Sequence, residues 1–167
     1  IPDSVTSIGY YAFYGCTGLT SVTIGSGVTS IGNYAFDGCT ELTTVNWNAT
    51  ACTKAGDYDY YIFSGCTNLT TVNIGENVTT IPSNAFYGCT GLTSITVDSG
   101  NTTYHSAGNC LIETASKTLI LGCKNSIIPT DGSVTSIGNS AFYGCTGLAS
   151  ITIPDSVTSI RANAFYG

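Results

Sequence analysis

The segment VTSIGYYAFYGCTGLTSVTI, residues 5–24, returns at fixed spacing along the chain, and this constrains the fold more than any other feature. Val5, Ile8, Ala12, Phe13, Gly15, Cys16, Leu19 and Val22 recur 23 residues later as Val28, Ile31, Ala35, Phe36, Gly38, Cys39, Leu42 and Val45. The repeat phenylalanines Phe13, Phe36, Phe63, Phe86, Phe142 and Phe165 lie 23, 27, 23, 56 and 23 residues apart. The gap of 27 is one repeat with four residues added, and the gap of 56 is one repeat plus a divergent unit of 33. Self-similarity at such a period is the mark of a solenoid, in which each unit is one coil stacked on the last.

Hydrophobic spacing changes period inside the unit. In LTSVTI, residues 19–24, Val22 and Ile24 alternate with Ser21 and Thr23, as in a strand buried on one face. VTSI, residues 5–8, is a second short extended segment. Between them Ala12, Phe13 and Cys16 have the i, i+1, i+4 spacing of a single helical or 3₁₀ turn, with Gly15 or Gly18 available to end it. The unit reads as strand, turn, strand, and it is too small to bury its own apolar face, so coils must stack to fold. About seven coils fit the chain as a single domain over 1–167, with an insertion at 48–61 and a divergent coil at 98–128. Ile1-Pro2-Asp3 repeats as Ile153-Pro154-Asp155, Gly167 falls inside a unit, and neither end carries a polar cap. The expectation is a piece of a longer array.

Composition narrows the function. Only 8% of residues are charged and the net charge is -6. The bases are Lys54, Lys117, Lys124 and Arg161, too few and too scattered for a phosphate backbone or a polybasic membrane contact. No apolar run approaches the ~18 residues of a spanning helix. Of eight cysteines, Cys16, Cys39, Cys66, Cys89 and Cys145 share one repeat position. Such a column puts equivalent Cβ atoms ~4.8 Å apart, where a disulfide prefers ~3.8 Å. They read as free buried thiols filling small apolar spaces. With no Cys-x-x-Cys, Cys/His cluster or Asp-rich loop, neither zinc nor calcium is expected, and no cofactor.

VTSIG, then two or three residues, AF, Tyr-Gly-Cys-Thr, and LTSVTI with Ile-Pro-Asp-Ser leading on, resembles the BspA-like leucine-rich repeats of microbial surface proteins over nearly the whole chain. The resemblance implies a leucine-rich-repeat solenoid, right-handed and curved, with the LTSVTI strands on its concave face. It also implies export to the cell surface or secretion, and adhesion or protein binding without catalysis. It selects no ligand and carries no catalytic residues.

Alternation then names the outward residues of the concave strands: Ser21 and Thr23, Thr44 and Asn46, Thr71 and Asn73, Ser94 and Thr96, Ser150 and Thr152, with Thr118 and Ile120 added by the divergent coil. These short hydroxyls and amides lack the aromatic and Arg anchors that dominate tight interfaces, so weak multivalent adhesion fits better than one tight site. The same side chains are also what β-branching favours in any strand, which leaves a purely structural stalk as the competing role. Glycan or ice-lattice binding through the Ser and Thr columns is a smaller alternative.

The insertion at 48–61 loses VTSI and holds Lys54, Asp57, Tyr58, Asp59, Tyr60 and Tyr61. A loop on a rigid scaffold with Tyr58, Tyr60 and Tyr61 is a second candidate binding surface. On the plainer reading, Tyr60 and Ile62 replace core Val and Ile. In the divergent coil, Leu111-Ile112 and Leu119-Ile120-Leu121 flank a hairpin turn near Ala115 and Ser116. His105 lies there with Cys110 and Asp98 near in sequence, but no motif joins them into a triad, and no pair of acids has glycosidase spacing. Tyr14, Tyr87, Tyr143 and Tyr166 each follow a repeat Phe and read as covers over the turn with their hydroxyls in water. Asn48, Asn68, Asn77 and Asn101 open Asn-x-Thr sequons that matter only in a glycosylating host.

Overall fold

The computed structural model describes residues 1–57 and 60–167. Its strands are β1 (Ser7–Ile8), β2 (Ser21–Ile24), β3 (Ser30–Ile31), β4 (Thr44–Trp47), β5 (Lys54–Ala55), β6 (Thr71–Ile74), β7 (Ser94–Val97), β8 (Tyr104–Ala107), β9 (Cys110–Glu113), β10 (Thr118–Leu121), β11 (Ser136–Ile137) and β12 (Ser159–Ile160). The longer repeat strands form one parallel sheet in the order β2-β4-β6-β7, and the short ones align as β1-β3-β5 and β12-β11-β10. Each lateral step is one coil, so Val22 lies beside Val45, Val45 beside Val72, and Val72 beside Ile95. The result is a β-solenoid of about seven turns.

The expected helical turn is absent: among the described residues there is no helix, and the Ala-Phe segment is a run of tight turns. Its amides alternate between two destinations. Tyr11, Phe13 and Gly15 donate N–H to Asn33, Ala35 and Asp37 carbonyls of the next coil at 3.1, 2.7 and 2.8 Å. Ala12, Tyr14 and Cys16 donate back within the coil to Gly9, Tyr11 and Phe13 at 3.4, 3.0 and 3.2 Å. A helix would direct every amide along its own axis and leave none for stacking. The alternation needs a left-handed residue at the start and end of the segment, and Tyr11 and Gly15 have φ of 57° and 67°. Glycine fills the second place in most coils at no steric cost.

In-register stacking superposes side chains. Phe13 and Phe36 rings stand 4.9 Å apart and 1° from parallel, Phe36 and Phe63 5.2 Å, Phe63 and Phe86 6.0 Å, and Phe142 and Phe165 5.0 Å. The column thiols Cys16, Cys39, Cys66, Cys89 and Cys145 are free, and the inner three are buried as expected, but Cys16 at the open first coil is exposed and Cys145 is only partly covered. They do more than fill space. Cys39 Sγ donates to the Phe13 carbonyl and Cys66 Sγ to the Phe36 carbonyl, both at 3.1 Å, adding a weak donor from the next coil to an oxygen that already accepts an amide within its own coil.

The two irregular segments behave differently. In the insertion the short strand is kept, contrary to expectation: β5 pairs with β3, and Cys52 and Ala55 are buried where Val28 and Ile31 are buried one coil earlier. Ile62 is buried, but in the place of Ala35 before the repeat Phe and not in that of a core Val or Ile, and Tyr60 is 45% exposed, so neither replaces a core Val or Ile. The divergent coil contains the expected hairpin, β9 antiparallel to β10 with Thr118 opposite Glu113, and β8 added outside β9. However, β10 pairs in parallel with β11, so Thr118 and Ile120 belong to the short-strand sheet and not to the long-strand face. Strand alternation assigns a side chain to a face but cannot say which sheet the strand joins.

This coil brings no Ala-Phe turn of its own. Gly122 takes that place, donates N–H to the Ala141 carbonyl at 2.8 Å, and leaves room that any side chain would lose to the Phe142 ring. The buried core accordingly divides, one cluster running from Ile8 to Leu111 and Cys123, the other gathering Cys110, Ile112, Leu119, Phe142 and Ala164. On the outside, Tyr87 stacks directly on Tyr143 at 4.8 Å, which buries Tyr87 instead of leaving it in water as Tyr14 and Tyr166 are.

Two outcomes follow from the stack. Phe86→Ala, removing a buried ring packed on Phe63 and Trp47, is expected to destabilise by ~3 to 5 kcal/mol in urea melting. Phe13→Ala, on the half-buried first coil, is expected to cost clearly less, and equal costs would contradict the assigned burial. The second concerns pH. Burial raises the Cys66 thiol from 9.0 to about 12. Above pH 9 the unfolded chain therefore loses a proton that the folded chain keeps, and stability falls as pH rises towards 12. The slope is ~1.4 kcal/mol per pH unit for one such thiol. Urea midpoints measured upward from pH 9 should fall more steeply for the wild type than for Cys66→Ala, and parallel lines would refute the contribution.

Candidate binding surface

The long-strand sheet turns Val22, Val45, Val72 and Ile95 inward, and so presents Ser21, Thr44, Thr71 and Ser94 in one outward row and Thr23, Asn46, Asn73 and Thr96 in another. The second row is internally bonded. Asn46 Nδ2 donates to Thr23 Oγ1 at 3.2 Å, Asn73 Nδ2 to Asn46 Oδ1 at 2.9 Å, and Thr96 Oγ1 to Asn73 Oδ1 at 2.6 Å. Each amide is fixed in rotation by its neighbour, while its second N–H and second lone pair stay available. The ladder floors a cleft of about 400 Å³ whose rim holds Asn48 and Asp98.

A second cleft of about 400 Å³ adjoins it, sharing Asn48, Gly75 and Asp98 and adding Asp3, Ser26 and Glu76. Gly75 is the notch between them, since a Cβ there would collide with the Asn48 amide oxygen. The Ser26 amide donates to Asp3 Oδ1 at 2.8 Å and holds that carboxyl below its usual range. No Lys or Arg lines either cleft. The divergent coil closes the far side: Val97 donates its N–H to Ser106 Oγ at 3.0 Å, and Asn101 Nδ2 donates to the Gly75 and Val78 carbonyls at 2.8 and 3.0 Å. Asn101 is thereby committed to structure, unlike the exposed Asn48, Asn68 and Asn77.

The sheet therefore gathers eight of the expected residues and not the remaining pair. Ser150 and Thr152 lie on chain without a strand partner, two coils beyond β7 and separated from it by the divergent unit. The tyrosines of the insertion also part company. Tyr58 lies outside the described residues. Tyr61 joins the outer column, its hydroxyl 3.0 Å from that of Tyr143, while Tyr60 packs edge-on against Tyr34 at 5.5 Å. Lys54 Nζ is 3.2 Å from Asp57 Oδ1, and Asn33 Nδ2 donates to Asp57 Oδ2 at 3.0 Å. Asn33 first and Lys54 second hold the Asp57 carboxyl below its usual range, and Asp57 in turn raises Lys54.

Tyr11, outside the expected surface residues, stacks on Tyr34 at 5.3 Å in a second surface column. The signal was present: both occupy one repeat position, two residues after Gly9 and Gly32. His105 and Cys110 stand on adjacent hairpin strands but do not engage one another. His105 Nδ1 is 2.9 Å from Thr114 Oγ1, and Cys110 Sγ faces the Gly108 carbonyl at 3.5 Å.

Comparison with known proteins agrees with this architecture. The model of the BspA type leucine rich repeat region matches residues 1–110 and 115–167, in six copies. Among solved structures, the chain is similar to a leucine-rich repeat protein from Eubacterium ventriosum, with 26% identity and a TM-score of 0.64 over 97% of this chain and 49% of that one. It is similar as well to a leucine-rich repeat protein from Bacteroides ovatus, with 26% identity and a TM-score of 0.57 over 100% of this chain and 39% of that one. A leucine rich cell surface protein from Faecalibacterium prausnitzii shares 31% identity over 96% of this chain and 55% of that one, with a TM-score of 0.47. The chain thus spans half or less of the first and about half of the last. No curated protein matches it.

Proposed function

The chain belongs to the BspA-type leucine-rich-repeat family, and from that premise we propose that it is a non-catalytic binding module, exported to the cell surface or secreted, that holds a protein partner against its long-strand sheet. The observation that carries the reading is the Thr23-Asn46-Asn73-Thr96 ladder with its two adjoining clefts. Hydrogen-bonding groups held in one orientation lose little entropy on binding, which favours a surface that meets a partner over one that merely faces water. The carboxylates of Asp3, Glu76 and Asp98 on the rim favour a partner whose contact patch is basic or neutral. Affinity for a single copy is modest, because no Trp, Tyr or Arg anchor lines the clefts, and repetition of the surface along an array supplies avidity.

A stalk is the competing role, and it makes the opposite forecast. Immobilised extracellular-matrix proteins should retain the polypeptide saturably in biolayer interferometry, with at least one partner bound. Asn46→Ala with Asn73→Ala, which shortens the ladder without touching the buried stack, is expected to weaken that binding at least tenfold while leaving thermal unfolding within a few degrees. Retention by no matrix protein would favour the stalk. Binding indifferent to the double substitution would remove the partner from this sheet.

A further inference from the structure

The coils that open the chain display aromatic rings where later coils display small polar groups. Tyr11, Tyr34, Ser140 and Asn163 occupy one repeat position, all left-handed with φ between 54° and 58°. That conformation is tolerated by Asn and is unfavourable for a bulky side chain, so the tyrosines are placed there against local preference. Residues held this way mark places where display matters more than backbone comfort. Tyr11 and Tyr34 cover each other's faces, and Tyr14 and Tyr60 close on them edge-first.

Tyr10 differs from these. It is 62% exposed and contacts no other ring among the described residues. It lines a shallow slot of about 150 Å³ together with Ile8, Gly9, Ser30, Ile31, Gly32 and Lys54. Lys54 is paired with Asp57, which accepts from Asn33. The slot therefore combines an exposed aromatic ring, two glycines that leave room beside it, and a Lys54 ammonium whose charge is offset by the neighbouring Asp57.

We propose that the slot between Tyr10 and Lys54 is a binding site for a neutral saccharide, separate from the long-strand sheet. The weakly polar C–H face of a pyranose packs on the electron-rich face of Tyr10. Its vicinal hydroxyls accept from the Lys54 ammonium and donate to the Asp57 carboxylate, which are spaced to meet neighbouring oxygens. An anionic or cationic ligand would have to break the Lys54–Asp57 pair, and an aliphatic one would bury it unmatched. The slot takes one sugar ring at its surface, so each contact is weak, and a polymeric glycan gains by engaging several copies.

Titration of the polypeptide with neutral α-linked and β-linked gluco-oligosaccharides and galacto-oligosaccharides, followed by saturation-transfer NMR, tests the assignment. Saturable binding of at least one class is expected. Tyr10→Ala should raise its Kd at least tenfold. Gly9→Ala should raise it several-fold, and it should fold normally because a Cβ at Gly9 meets nothing within 4 Å. Tyr166→Ala, removing an equally exposed ring at the other end, and the Asn46→Ala, Asn73→Ala pair on the long-strand sheet should leave Kd within twofold. These controls separate this site from the protein-binding surface, whose failure would leave saccharide binding intact. Absence of binding across the panel, or binding unchanged in Tyr10→Ala, would overturn the proposal, as would competition by an unstructured peptide alone.

Discussion

Hydrogen bonding along the stacking axis governs nearly every feature of this molecule. In the turns, Tyr11, Phe13 and Gly15 spend their amides on the next coil, and at the strand ends Thr29, Thr43 and Asn48 spend theirs on the previous one. Such bonds hold successive coils at the ~4.8 Å of a parallel sheet and forbid any slip in register. Ring stacking then follows without being separately favoured: Phe13 and Phe36 stand nearly parallel because equivalent backbone is bonded in register from coil to coil, although isolated aromatic pairs prefer offset or edge-on geometry. The same translation brings the Cys39 thiol to the Phe13 carbonyl and the Asn73 amide to Asn46. One constraint thus produces the core, the thiol column and the polar ladder.

The divergent coil shows what happens when the constraint is met on one side only. It contributes β10 to the short-strand sheet, so stacking continues there from β10 to β11 to β12. It offers no full Ala-Phe turn, and the outer column closes over the gap through Tyr61, Tyr87 and Tyr143. On the long-strand side β7 receives β8 beside it in place of another repeat strand, and Asn101 bonds back across to Gly75 and Val78. The polar sheet is therefore a bounded patch of four strands, with an end wall built by the hairpin.

Inward positions were legible in the sequence because burial imposes period: Val28, Ile31, Phe36, Leu42 and Val45 are all fully buried where the repeat put them. The turn was not legible. Ala, Phe and Cys at i, i+1 and i+4 bury the same side chains in a helical turn and in a stacked turn, and only the destination of the amides distinguishes them. β5 is masked in the sequence because Cys52 and Ala55 occupy places where Val and Ile stand in other coils, and small residues weaken the hydrophobic signal without leaving the core. Eight outward residues of the candidate surface were readable from strand alternation. Their mutual hydrogen bonds and the Gly75 notch depend on neighbours 23 to 27 residues away, and the Tyr10 slot on Lys54 two coils on, which no local pattern records.

A solenoid of this kind separates the residues that make the fold from those free to make contacts, coil by coil. Replacing Val45 or Phe36 disturbs coils above and below, since each packs against both neighbours in register. Replacing Thr44 changes only the surface of one layer. Each regular coil therefore offers two outward strand positions, the alternating partners of its buried valine, and one or two turn positions such as those of Tyr10 and Tyr11. The long-strand face uses its allotment for amides and hydroxyls that bond to one another, giving a polar floor with acids at the rim. The turn side of the first coils uses its allotment for rings, at a backbone position that resists them. Polar groups on one side and aromatic groups on the other are thus carried by the same coils, with stack-bearing glycines such as Gly32 and Gly75 opening the space beside them.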